Sequence, residues 1–250
     1  MVKLNIFSIA DEGYWKYIPT FALSALMYNE NCHCEIMVKG YEEWASNNRH
    51  IKDTLQRYSN ITIRPVNKFW YDRFQGRISD WVRFVEVPEV KADYTYICDI
   101  DFVFVKGILE DHLPLFDKTG LCYTNIIRPY IKELGDRLTG CYMVKTKEWY
   151  DSIMPMVEHF KESPVSFGYP VGDEVLLFKL VDKSTLSLPD RKYGPEYRPV
   201  NVVHCSPNRS VLGWGIEDWK MPNLRKVYQE LVKLGIEAPH LEKIWIEKSK

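Results

Sequence analysis

Tyr94-Thr95-Tyr96-Ile97-Cys98-Asp99-Ile100-Asp101-Phe102-Val103-Phe104-Val105-Lys106 is the stretch around which this chain is organised. Tyr94 to Cys98 has the length and the β-branched and aromatic content of a buried strand. It runs into two carboxylates, Asp99 and Asp101, and a second apolar run, Phe102 to Val105, follows at once. Two acids between apolar runs are expensive to bury unless their charge is compensated. In extended backbone, side chains two positions apart share a face. Like charges held that close raise each other's pKa, and a divalent cation removes the conflict. Hard oxygen ligands with so few protein groups suit Mg²⁺ or Mn²⁺ that also grips a substrate's phosphates. The alternative reading is a strand followed by a charged turn.

Working outward, apolar residues make up 46% of the 250, which places the chain among globular proteins. The formal net charge of -1 carries no nucleic-acid footprint. The N-terminus, Met1 to Ala10, reads as a first strand and lacks the long apolar region of a signal peptide. No apolar run has the length of a membrane span. Six cysteines are scattered, several in apparent strands, and a reduced, cytoplasmic protein accounts for them. Cys32-His33-Cys34 has no second pair at zinc-finger spacing.

Val2 to Ile9 predicts a strand, followed by a turn over Ala10 to Tyr14. From Trp15 to Tyr28 the apolar residues recur at helical spacing. Glu35 to Val38 predicts a strand, Tyr41 to Tyr58 a helix and Ile61 to Arg64 another strand. This alternation predicts an α/β fold, with a mostly parallel, doubly wound sheet flanked by helices. Ligands of such sheets sit beyond the carboxyl ends of strands, where Asp11 and Asp99 both fall. Arg77 to Val87 reads as a helix carrying Asp80 and Arg83, and a guanidinium there suits a diphosphate.

Gly120 to Asn125 predicts a strand, and Ile127 to Leu138 a mobile loop or lid. Thr139 to Val144 predicts a strand in which Gly140 lets a ligand approach the backbone. Trp149 to Lys161 predicts a helix. Asp173 and Glu174 open a helix over Val175 to Val181, where acids favour the helix N-terminus. Val200 to His204 predicts a strand ending in a histidine, and Ser206 to Gly215 a polar loop holding Arg209. Residues 221 to 250 carry helical periodicity and Lys-rich ends. No linker forces a second domain, so one domain with a helical tail is expected.

In this order the pieces resemble the GT-A glycosyltransferases, most nearly the family 8 type, which includes glycogenin and bacterial lipopolysaccharide galactosyltransferases. The matching motifs are Ala10-Asp11 with Tyr14, Trp81-Val82-Arg83, Tyr96 to Asp101, Leu138-Thr139-Gly140, Lys147-Glu148-Trp149, Asp173-Glu174 and His204. They span about residues 2 to 215. Departures are Leu138 and Thr139 where the family has asparagine and alanine, Glu174 where it has glutamine, and Pro207 and Arg209 in the histidine motif.

The resemblance implies transfer of a sugar from a nucleotide-diphosphate donor, with a UDP-sugar favoured, to a glycan, lipid-linked or protein acceptor. It implies a GT-A fold and retention of anomeric configuration. Asp99, Asp101 and His204 would hold Mn²⁺ or Mg²⁺. Ala10, Asp11, Tyr14, Asp80, Arg83, Ile100, Gly140 and Arg209 would bind the donor nucleotide-sugar. The candidate catalytic residues are Glu174 and Asp173. A glutamate at 174 is open to roles as nucleophile, base, donor-positioning group or plain helix-start acid. If it is catalytic, Glu174→Gln lowers transfer at least about a hundredfold. The alternatives are a haloacid-dehalogenase-like phosphatase, whose later acidic pair Gly172 to Leu177 does not supply, and a non-catalytic sugar-nucleotide-binding protein. Neither nucleic acid nor a transmembrane segment is expected. A weak peripheral membrane contact by the tail is the most its apolar face and cations imply.

Overall fold

The computed structural model describes residues 2–74, 81–131, 135–190, 200–205 and 216–248. The chain opens with strand β1 (Leu4–Ala10), a 3-10 turn at Trp15–Tyr17 and helix α1 (Ile18–Tyr28). Strand β2 (Cys32–Val38), helices α2 (Tyr41–Asn47) and α3 (Arg49–Leu55) and strand β3 (Ile61–Pro65) follow. Then come α4 (Lys68–Arg73), α5 (Val82–Val85), β4 (Tyr94–Ile97), β5 (Phe102–Phe104) and α6 (Leu109–Thr119). The second half holds β6 (Ile127–Ile131), β7 (Gly135–Leu138), β8 (Tyr142–Lys145), α7 (Thr146–Glu162), α8 (Asp173–Asp182), β9 (Val202–His204), α9 (Met221–Lys233) and α10 (Pro239–Lys248).

The main sheet runs β3-β2-β1-β4-β8. β1 is parallel to both β2 and β4, while β8 returns antiparallel on β4. Every residue of β1 is buried, as expected where helices cover both faces of a parallel sheet. Alternation along the strands sorts their side chains into two cores. Ile6, Ile36 and Tyr96 join α1, α9 and α10 on one face, and Phe7, Met37 and Ile97 join α5, α7 and α8 on the other. Phe7 pairs with Ile97, the last residue of β4, and the Cys98 amide donates to the Phe7 carbonyl at 3.2 Å, while β1 runs on past that end of β4 to Ala10. A two-stranded ladder, β5 on β9, stands beyond that end of β4.

Several expectations change in detail. The helix read over Tyr41 to Tyr58 breaks at Asn48, which leaves helical dihedrals (φ -120°, ψ 36°) and whose side-chain amide shares the Trp44 carbonyl, at 3.0 Å, with its own backbone N–H. The strand read over Gly120 to Asn125 reduces to one bridge, Tyr123 to Val144. The loop expected over Ile127 to Leu138 is instead the hairpin β6–β7, with Ile127 opposite Leu138 and Arg128 opposite Arg137. Its register shifts between Arg128 and Ile131, a span containing Pro129, which has no N–H to give to a ladder.

In the tail, Leu224, Val227 and Leu231 of α9 are fully buried, so its apolar face is turned into the molecule. No helix among the described residues is long and apolar enough to cross a membrane.

Candidate active site at the rim of the sheet

β4 ends at Ile97 and the chain turns through Ile100 and Asp101 before β5 begins. Asp99 and Asp101 therefore lie in a turn and not in the extended run expected. The turn divides them: the Asp99 side chain is 36% exposed and that of Asp101 only 3%. Pairing of Phe102 with His204 aligns β9 with the turn, and the Cys205 amide donates to the Asp101 carbonyl at 2.8 Å. His204 Nε2 and Asp101 Oδ1 are 3.0 Å apart as a result. Asp99, Asp101 and His204 each offer one ligand atom, and these atoms lie within 4.8 Å of one another. Two carboxylate oxygens and an imidazole nitrogen are a donor set that fits Mn²⁺ and also admits Mg²⁺.

Arg83 is held on the other side of Asp99. Its helix α5 is one turn long, and the adjacent Val82, Phe84 and Val85 are buried in the sheet-facing core. The guanidinium lies over the Phe84 ring, 4.5 Å from its centre. One nitrogen, Nη2, reaches both Asp99 Oδ1 at 2.8 Å and Asp173 Oδ2 at 3.1 Å. Gly140 leaves the room for this. A β-carbon there would lie 2.9 Å from Arg83 Nη2, closer than side chains tolerate. Cys141, next in the chain, sets its Sγ 3.5 Å from Asp99 Oδ2, and burial pushes its thiol well above the usual range.

Asp11 and Tyr14 line a cavity of about 580 Å³ at the ends of β1 and β2, together with Trp15, Lys39 and Tyr71. Ala10 is buried, and its carbonyl accepts from the Lys39 amide at 2.9 Å. Ile100 is buried beneath the turn. A residue not anticipated, Tyr17, connects the cavity with the acidic turn. Its ring stands 5.9 Å from that of Tyr14, and its hydroxyl donates to the Cys205 carbonyl at 2.9 Å. As one of 16 tyrosines it carries no mark in the sequence. Asp80 and Arg209 lie outside the described residues.

Glu174 opens α8 beside Asp173 and takes partners that the sequence did not announce. Arg128 Nη1 donates to Oε1 at 2.6 Å and to Oε2 at 2.9 Å, and Arg137 Nη1 donates to Oε2 at 3.2 Å. Burial raises its carboxyl above the ordinary value, the two guanidinium charges oppose the rise, and Asp173 adds to it.

Comparison with known proteins rests on this architecture. No protein-family model matches the sequence, and no curated protein matches it. Among solved structures, that of galactosyltransferase LgtC in complex with donor and acceptor sugar analogues superposes with a TM-score of 0.55 at 15% identity. The match covers 90% of this chain and 95% of that one. The chain has the GT-A fold. A second LgtC structure, carrying an active-site glutamine-to-glutamate substitution, matches with a TM-score of 0.53 at 16% identity over the same shares. At such identity the likeness is one of fold, and it is the fold type that the motifs resembled.

Proposed function

We propose that this GT-A chain, read over residues 1 to 250 as one domain, transfers a sugar from a nucleotide-diphosphate donor, a UDP-sugar, to a glycan, lipid-linked or protein acceptor. The observation that carries the reading is the meeting of Asp99, Asp101 and His204 within 4.8 Å, with Arg83 bonded to Asp99 beside them. Those three residues would hold Mn²⁺ or Mg²⁺, which when bound supplies Lewis-acid stabilisation to a departing diphosphate. Arg83 adds a fixed positive charge on the same side, already oriented by Asp99 and Asp173. The cavity at Asp11 and Tyr14 takes the nucleobase, uracil by resemblance to family 8. The opening at Gly140 lets the donor approach the backbone, and Asp173 faces the sugar end with one carboxylate oxygen on Arg83. Retention of configuration follows from the same resemblance. All six cysteines are free thiols, which supports a reducing, cytoplasmic setting.

Calorimetry of UDP binding with and without Mn²⁺ tests the reading. Binding is expected only, or far more tightly, with the metal, and equal affinity in both conditions would defeat it. Release of UDP from a UDP-sugar in the presence of metal separates the enzyme from a passive binder.

Gly140→Ala supplies a second test. The added methyl would lie 2.9 Å from Arg83 Nη2, so the guanidinium must shift from the position in which it bonds Asp99 and Asp173, while Phe84 stays at ordinary contact. Loss of a charge-assisted hydrogen bond of this kind weakens binding by roughly ten- to a hundredfold. UDP affinity in Mn²⁺ is expected to fall in that range with the melting temperature little changed. Wild-type affinity in the alanine variant would remove Arg83 from the donor site.

A further inference from the structure

The hairpin β6–β7 packs Leu138 into the core and β7 along α8, and polar contacts hold it at its base and farther out. At its base, Asn125 Oδ1 accepts from the Thr139 amide at 2.9 Å and from the Thr139 hydroxyl at 2.7 Å, and Asn125 Nδ2 donates to the Thr139 carbonyl at 3.0 Å. These bonds close the hairpin immediately before Gly140. Farther out, Arg128 and Arg137 face each other across the ladder, and both turn to Glu174. The three side chains are between 18% and 24% exposed, so solvent screens their attraction only in part. β7 packs along α8, the helix that Asp173 and Glu174 open. Asp173 in turn bonds Arg83, and Arg83 bonds Asp99. Ion pairs thus tie the hairpin to Glu174, and its chain neighbour Asp173 is tied through Arg83 to the acidic turn.

Chemistry at Glu174 needs an oxygen lone pair aimed at a reacting centre. Here both carboxylate oxygens accept from guanidinium nitrogens, which spread and neutralise the charge that a nucleophile or base would use. We propose that Glu174 is a positioning residue: its ion pairs with Arg128 and Arg137 latch the β6–β7 hairpin against α8 and so set the shape of the sugar end of the cleft. The latch rests on the glycosyltransferase reading for its consequence, but not for its existence. Glu174 acts through the hairpin on donor binding and takes no part in bond making or breaking.

The test is a double-mutant cycle of Glu174→Gln and Arg128→Gln, with Arg137→Gln as a third single variant should either of the first two fold poorly. Amide hydrogen exchange over residues 127–131 and 135–138, measured on the full chain without substrate, reads the latch itself. Exchange is expected to quicken about tenfold in each single variant, and the double variant should fall well short of the product of the two, because the Arg128–Glu174 pair is shared between them. Turnover is read as UDP released from UDP-glucose, UDP-galactose and UDP-N-acetylglucosamine in Mn²⁺, using whichever is fastest. Glu174→Gln is expected to raise KM and to keep kcat within about tenfold, since the amide oxygen still accepts from Arg128. A kcat loss of more than about a hundredfold with hairpin exchange unchanged overturns the proposal and makes Glu174 chemical. Unchanged exchange alone, or independent multiplication of the two single effects, overturns it too. If none of the three donors turns over, the exchange cycle still decides the latch, and the failure falls on the donor reading.

Discussion

Asp101→Asn is expected to abolish the metal-dependent UDP binding proposed for this site and to lower sugar transfer by at least about a thousandfold. Asp101 is buried in the turn after β4, with Oδ1 3.0 Å from His204 Nε2. Its backbone carbonyl is engaged independently by the Cys205 amide, so the turn survives a change of side chain. Asparagine keeps the shape and offers His204 a neutral partner, but it removes the negative charge that a divalent cation requires. A metal contributes several kcal/mol of charge stabilisation to a departing phosphate, and about 4 kcal/mol corresponds to a thousandfold in rate. Calorimetry with UDP and Mn²⁺, together with a melting curve, measures both halves. A variant that melts like wild type and still binds UDP as tightly in Mn²⁺ would take the metal away from this turn. The expected pattern is a folded protein whose UDP affinity no longer responds to Mn²⁺.

The second large effect is on stability and lies away from the rim. Glu35, in the middle of β2, is fully buried. It accepts from Arg64 Nε at 2.8 Å, from Asn5 Nδ2 at 3.2 Å, and from the backbone amides of Glu89 and Val90 at 2.9 and 3.1 Å. One carboxylate thereby ties three strands of the sheet to the segment that leads into β4. Glu35→Ala leaves a buried guanidinium, a buried amide and two backbone N–H groups without that partner. Breaking a buried pair from one side costs about 3–5 kcal/mol, because the remaining charge stays desolvated. For a chain of this size each kcal/mol moves Tm by about 2–4 °C, so a fall of roughly 6–20 °C is expected. Urea unfolding gives the free energy directly, and a midpoint indistinguishable from wild type would show that water replaces the carboxylate at no cost. Replacing Glu35 and Arg64 together by apolar residues should recover part of the loss, since the charge left behind is then removed.

Much of the architecture was legible because it is written locally. Leu4 to Ala10 and Tyr94 to Ile97 were legible as buried strands from their length and their apolar and aromatic content, and the two-residue period of a strand then sorts their side chains between the two cores. The acidic turn was legible for a similar reason: two carboxylates after a buried strand stand out against their apolar neighbours. The hairpin at Ile127 to Leu138 was not. Its arginines, proline and lysine hide the strand alternation, and only its end pair, Ile127 and Leu138, packs into a core, while the rest is held by the ladder and by α8. Glu35 was read correctly as part of a strand, but nothing beside it in the chain marks it as buried.

Local periodicity and composition thus determined the strands of the main sheet and the place of Asp99 and Asp101 at a strand end. Tertiary structure alone decided which cation meets which acid. Arg83 reaches Asp173 across 90 positions, Arg128 reaches Glu174 across 46, and Arg64 reaches Glu35 across 29. Charge partners at such separations follow from how the sheet stacks its helices and where its strands end. A side chain's charge is fixed by its type, whereas its partner is fixed by which surfaces hydrophobic burial brings together, and no window of the sequence contains both.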